Sequence, residues 1–216
     1  IRMRLTLRGF KDIDADLITT YAGTSSRLSQ RVIVSEAACR GWTITAMDVK
    51  KAFLKGVTYK ELSEATDEDE REVNFELSPD AVQILKQCPG YEDFDPTLEV
   101  LHMVKPGTRC KDAPRCWSIQ LTRITNGRFK AVGTLYDDEF IARHNKGGEL
   151  ELLATKHVDD LKVTGTPAAK AEFTRAFEEA FGKGEIDISE GTFTCCGVRH
   201  APTASGGYEM DQTEYI

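Results

Sequence analysis

Apolar and polar positions along the chain change period several times, and each change marks an element. RMRLTLR (2–8) alternates basic and apolar residues, the period of a strand with one wet, positive face. SSRLSQRVIVSEAACR (25–40) has helical spacing that puts Leu28, Val32 and Cys39 on one face, and Gly41 stops it. Alternation returns in GWTITAMDV, where Ile44, Ala46 and Asp48 fall on one side and Thr43, Thr45 and Met47 on the other. Asp48 therefore ends a strand, and KKAFL after it begins a helix or turn.

Further along, 60–80 reads as a solvated loop or short insertion and CPGYEDFDP (88–96) as turn-rich chain. LEVLHMV (98–104) suits a short strand closed by KPG. Asp112 can cap a helix with Pro114 in its first turn and Trp117, Leu121 and Ile124 along one face. Residues 149–164 read as two strands hinged at Asp159-Asp160. Thr166-Pro167 opens a helix with the apolar stripe Phe173, Phe177, Ala180 and Phe181, stopped by Gly182. Residues 192–199 and 207–210 suit one more hairpin around SGG. Strands and helices are mixed without regular alternation, so the expected class is α+β, an antiparallel sheet covered by helices on one face.

Length and composition fit that picture. The chain has 216 residues, enough for one sizeable domain or two small subdomains, with 40% apolar and 29% charged residues. A start at Ile1 with no initiator Met is expected of a piece of something longer. No apolar run approaches a membrane span, and IRMRLTLRGF lacks a signal-peptide core. The net charge of −7 argues against nonspecific nucleic-acid binding by the whole surface. It is unevenly spread: 60–80 carries nine acids against Lys60 and Arg71, while 1–11 carries Arg2, Arg4, Arg8 and Lys11 with no acid. None of the six cysteines forms a C-x-x-C pair or stands at zinc spacing from a histidine, so buried reduced thiols are expected.

Three acids stand out, Asp48 at a strand end and Asp159 and Asp160 at a hairpin bend. If those strands are neighbours, the carboxylates converge at the sheet rim, where only a divalent cation lets all three stay ionised. Hard oxygen ligands favour Mg²⁺, and two such ions roughly 3.5–4 Å apart would activate a hydroxyl and stabilise a leaving pyrophosphate. Arg2 and Arg4 could then hold a triphosphate. Each residue alone has a plainer role: Asp-Asp in turn chemistry, Asp48 as a helix cap, the arginines on a solvated strand face.

The motifs add a resemblance. MDVKKAFLKG (47–56) resembles the first catalytic motif of reverse transcriptases of copia-type LTR retrotransposons, roughly M-D-V-K-T-A-F-L-N-G. HVDDLKVTG (157–165) is similar to their Y-V-D-D-L motif, KDAPRCW (111–117) to K-Q-A-P-R-A-W, RMRLTLRGF (2–10) to K-A-R-L-V-A-R-G-F, and DQTEYI (211–216) to S-Q-x-K-Y-I. The five matches stand in family order across nearly the whole chain. The resemblance implies a right-hand polymerase over 1–216, with fingers, a ferredoxin-like antiparallel palm sheet, and the start of a thumb at about 190–216. It implies Asp48, Asp159 and Asp160 as catalytic, metal-binding carboxylates, with the Val49 carbonyl as a further ligand to Mg²⁺ or Mn²⁺. Phe53 would stack under the incoming sugar and exclude a 2′-hydroxyl, and Arg2 and Arg4 would hold the triphosphate. Lys111, Arg115 and His157 would lie along the template and primer.

The implied activity is RNA-directed DNA polymerisation. Its partners would be dNTPs, a template–primer duplex, and neighbouring integrase and RNase H regions of a polyprotein, and its place a cytoplasmic virus-like particle or the nucleus. The sequence departs from the family at GTRCKDAP (107–114), where Arg109 takes a glycine position, at His157 in place of Tyr, and in the acidic segment. A degenerate copy that keeps the fold and binds nucleic acid without catalysis is the alternative. An unrelated metal-dependent phosphohydrolase would keep the acids but has no need of Phe53 or the KDAPRCW helix.

Overall fold

The backbone of a computed structural model, which describes residues 8–213, runs through five α-helices and eleven strands. In chain order these are α1 (Arg27–Arg40), β1 (Ile44–Val49), α2 (Tyr59–Thr66), β2 (Asn74–Phe75), α3 (Pro79–Leu85), β3 (Leu101–His102) and α4 (Ala113–Thr122). They continue with β4 (Val132–Thr134), β5 (Asp137–His144), β6 (Leu150–His157), β7 (Asp160–Gly165), α5 (Pro167–Phe181), β8 (Ile186–Glu190), β9 (Phe193–Cys195), β10 (Val198–Pro202) and β11 (Tyr208–Asp211). A 3-10 turn, Ala52–Lys55, follows β1, and a π-helical stretch, Arg123–Arg128, prolongs α4. The basic strand expected over 2–8 lies outside the described residues, apart from Arg8.

The main sheet has six strands in the order β4-β5-β6-β7-β1-β8, every pair antiparallel. Its two faces carry separate cores. Met47, Val49, Leu152, Ala154, Leu161 and Val163 pack against α4 and α5 through Trp117, Leu121, Phe173 and Phe177. Phe173 meets Phe129 edge-on with ring centroids 4.9 Å apart. Each such buried ring contributes on the order of 2–3 kcal/mol. The opposite face is covered as well: Ile44, Phe140, Ala142 and Leu153 pack on Ile33, Val34 and Ala37 of α1 and on Phe193 and Cys195. One-sided covering was expected, and the small sheet β11-β10-β9 together with α1 makes it two-sided.

Capping chemistry sets the helix ends. Ser26 accepts from the Ser29 amide at 3.1 Å and Gly41 closes α1 in the left-handed region at φ 65°. Thr166 accepts from the Ala169 amide at 3.2 Å, with Pro167 at the first helical position of α5. The buried face of α1 differs from the expected one: Ser29, Ile33, Val34 and Ala37 point inward, while Leu28 and Cys39 are exposed. The helix enters with Ser26 as its cap, and that phase turns the i, i+4, i+8 row from Ser29 toward the sheet.

The acidic segment is not a plain loop. Thr58 and Glu61 form a capping box that starts α2, and Ser78-Pro79 starts α3. Some of its charges meet partners remote in the chain: Glu61 pairs with Arg123 at 3.0 Å, and Arg71 joins Asp12 to Asp112. Asp112 therefore stands at the start of α4 without capping it, since its buried carboxylate serves Arg71 instead. The strand expected over 98–104 contracts to β3, which pairs with β2. Strands β4, β5 and β8 had no counterpart in the sequence patterns, and the expected C-terminal hairpin gains a third strand. Among the cysteines only Cys116 and Cys195 are buried; Cys39 and Cys88 are exposed, and none forms a disulfide.

Candidate active site

Strand β1 alternates its side chains between the two cores, so Thr45, Met47 and Val49 face α5 and α4 while Ile44, Ala46 and Asp48 face α1. Asp48 stands near the strand end, where the covering stops, and is exposed. Strand β7 lies beside it in a register that sets Asp160 directly opposite Asp48. On the other flank β8 sets Asp187 opposite the same residue. Asp48 is thus bracketed across both ladders by aspartates. Asp187 was not singled out from the sequence, because IDISE gives no motif and its partner strand is remote in the chain.

Asp159 sits in the two-residue turn between β6 and β7, closed by the His157–Asp160 pair. Val158 before it takes φ 58°, a left-handed conformation that is costly for a β-branched side chain. What holds it there is Trp117, whose indole N–H donates to the Val158 carbonyl at 2.7 Å. Buried Trp117 therefore couples α4 to the acidic turn.

The electrostatics follow from this crowding. Partial burial and then the charges of Asp159, Asp160 and Asp187 raise the Asp48 pKa above its ordinary value, opposed by Lys50. Lys50 pairs with Asp187 at 2.9 Å and donates to the Gly184 carbonyl at 2.9 Å. The donor set is carboxylate and backbone oxygen, and a divalent cation would relieve the repulsion that lifts Asp48, so these residues fit Mg²⁺ or Mn²⁺. The three acids are not drawn together as a ligand trio. Among the described residues the one group of at least three ligand atoms within 4.8 Å of one another is Asp160, Cys195 and Cys196.

The remaining sequence-derived positions separate into near and far. Val49 sends its side chain into the core and pairs through its backbone with Ile186. Phe53, on the 3-10 turn beyond β1, is half-buried against the α4–α5 core. His157 is half-buried and bridges by backbone to Thr24. Lys111 is exposed ahead of α4. Arg115 is already engaged, its guanidinium donating to both oxygens of Glu68 at 2.8 Å. Arg2 and Arg4 lie outside the described residues. Arg109 takes φ 75°, so the position where the family pattern has glycine adopts the backbone that glycine favours.

The chain is distantly similar to Pol polyproteins of retrotransposons. It is 24% identical over 175 residues to the retrovirus-related Pol polyprotein from transposon RE2 of Arabidopsis thaliana, a match covering 80% of this chain and 10% of that protein. It is 26% identical over 167 residues to the corresponding polyprotein from transposon RE1 of the same plant, covering 76% of this chain and 10% of the relative. The chain thus spans about a tenth of the length of these relatives. No protein-family model and no solved structure matches it.

Proposed function

We propose that this chain is the reverse transcriptase region of a copia-type Pol polyprotein, built as the fingers and palm of a right-hand polymerase with the start of a thumb at about 190–216. The observation that carries the proposal is the register that sets Asp160 opposite Asp48 across adjacent strands with Asp159 in the intervening turn. It joins two motifs more than a hundred positions apart, and both lie within a chain similar to Pol polyproteins.

In the proposed reaction the primer 3′-oxygen displaces pyrophosphate from the α-phosphorus of a dNTP. Asp48, Asp159, Asp160 and the Val49 carbonyl would hold Mg²⁺ or Mn²⁺. The bound ions would lower the pKa of the 3′-hydroxyl and neutralise the leaving pyrophosphate. Phe53, one short turn beyond Asp48 and packed against the α4–α5 core, would stack under a deoxyribose and crowd a 2′-hydroxyl. Lys111 and His157 flank the turn and helix that would face the duplex. Arg115 reaches a template phosphate only by exchanging Glu68 for it. Arg2 and Arg4 keep their assignment to the triphosphate. Integrase and RNase H would be contributed by other parts of the polyprotein, in a particle or in the nucleus.

A second reading, a copy that keeps the fold and binds nucleic acid without chemistry, is favoured by Arg109 in its left-handed backbone and by the engaged Arg115. Primer extension on poly(rA)/oligo(dT) with Mg²⁺ separates the two, using a chain extended through the thumb and an Asp159→Asn control. Extension that the control abolishes supports the polymerase. A folded protein that binds duplex but extends nothing supports the second reading.

A further inference from the structure

Behind the acid cluster lies a pair of cysteines that the polymerase reading does not use. Cys195 ends β9 and Cys196 follows it in the left-handed region at φ 51°. That backbone turns both side chains toward the rim where Asp160 begins β7, with the two sulfurs 3.7 Å apart. The Cys196 amide donates to Asp160 Oδ2 at 3.2 Å, which fixes the carboxylate against the pair. The Asp160, Cys195 and Cys196 ligand atoms all lie within 4.8 Å of one another.

A second observation concerns charge. Lys162, two residues along β7 on the same face, is 1% exposed. It donates to the Gln30 carbonyl at 3.5 Å, and among the described residues it forms no salt bridge with a carboxylate. Burying an ammonium without an anion is costly. The groups near it that can carry negative charge are Cys195, Cys196 and Asp160. The fully buried Nε2 of His200 is also unbonded, and the Lys162 charge helps keep that ring neutral.

We infer that Cys195, Cys196 and Asp160 form a binding site for a thiophilic divalent cation of the Zn²⁺ type, distinct from the oxygen-ligated site proposed around Asp48. Two thiolates and one carboxylate match such an ion plus the Lys162 ammonium charge for charge. Sulfur donors select Zn²⁺ over Mg²⁺, and a fourth position is left to water. Binding as two thiolates expels the thiol protons to solvent. Asp160 is common to both groups, so an ion held by the sulfurs withdraws a carboxylate from the acid cluster.

The test is titration of the reduced, metal-free full chain with Cd²⁺, read by the ultraviolet thiolate-to-metal charge-transfer band, then with Zn²⁺ as competitor. Polymerase activity does not enter the readout. A Cys39→Ser/Cys88→Ser background removes the exposed thiols. The expected result is one Cd²⁺ per chain, displaced by Zn²⁺, with the band lost in Cys195→Ser/Cys196→Ser and affinity about tenfold or more lower in Asp160→Asn. Cys196→Ser alone serves if the double variant fails to fold, because Cys196 is only half-buried. An unchanged band in the cysteine variants, or full affinity in a folded Asp160→Asn protein, overturns the assignment.

Discussion

Gly9 lies so close to Arg109 that a Cβ on the glycine would sit 2.0 Å from the arginine carbonyl oxygen. Two motif segments remote in sequence therefore touch backbone to backbone, and Arg109 at φ 75° is the strained partner. Arg109→Gly is expected to stabilise the fold by about 0.5–1 kcal/mol, the strain relieved less the added chain entropy. Gly9→Ala is expected to cost about 2 kcal/mol or more, because backbone has to move. Urea denaturation of both variants checks the pair; a destabilised Arg109→Gly protein would show that the guanidinium makes a contact worth more than the strain.

The bracketing of Asp48 predicts a stability gain from losing it. With its folded pKa raised, Asp48 holds its proton more tightly in the native state, so its contribution worsens as pH rises through the carboxylate range. In metal-free buffer at neutral pH, Asp48→Asn should be more stable than the parent by some tenths of a kcal/mol, the scale of like charges set opposite in a ladder. The difference should vanish in acid, where the parent's carboxyl is protonated. Mg²⁺ should stabilise the parent and have less effect on the variant. Thermal melts with EDTA and with Mg²⁺ decide it.

Arg71 joins Asp12 and Asp112 inside the chain, and the Asp112 side chain is 1% exposed. Arg71→Met leaves that carboxylate buried and unpaired, at an expected cost of roughly 3–5 kcal/mol. Asp112→Asn in the same background should recover part of the loss. Additive losses in the double variant would show that the two residues do not act on each other.

Fully buried His200, stacked on Phe193, has its pKa pulled down to about 4 by burial and by the Lys162 charge. The unfolded chain binds its proton at an ordinary value near 6.5, so the unfolded state takes up the proton first on acidification. Stability is therefore full above about pH 6.5 and declines toward pH 4, by up to roughly 3 kcal/mol. Urea midpoints across that interval should fall for the parent and fall less for His200→Gln.

The paired strands around Asp159, the Thr166-capped α5 and the Trp117 face of α4 were legible because local period and capping fix them. The acid pairing was legible only as a motif, since no local pattern says that β1 and β7 are neighbours. Asp187 and the Cys195–Cys196 pair stayed hidden because β8 and β9 reach the site through tertiary pairing alone. The acidic segment misled for a related reason. Its charge run looked solvated, yet Arg71, Arg115 and Arg123 each meet one of its charges or become one of its partners only when folded.

The pairing of residue 48 with residues 160 and 187 also sets an order of events on the ribosome. Strand β1 emerges early and has no neighbour until most of the chain has followed it. Its Met47 and Val49 lack β7 and the α5 rings through that interval, a hydrophobic segment available to chaperones or to other nascent chains. A prematurely ended chain that stops before β7 keeps the first acid motif and has lost the sheet that shelters it.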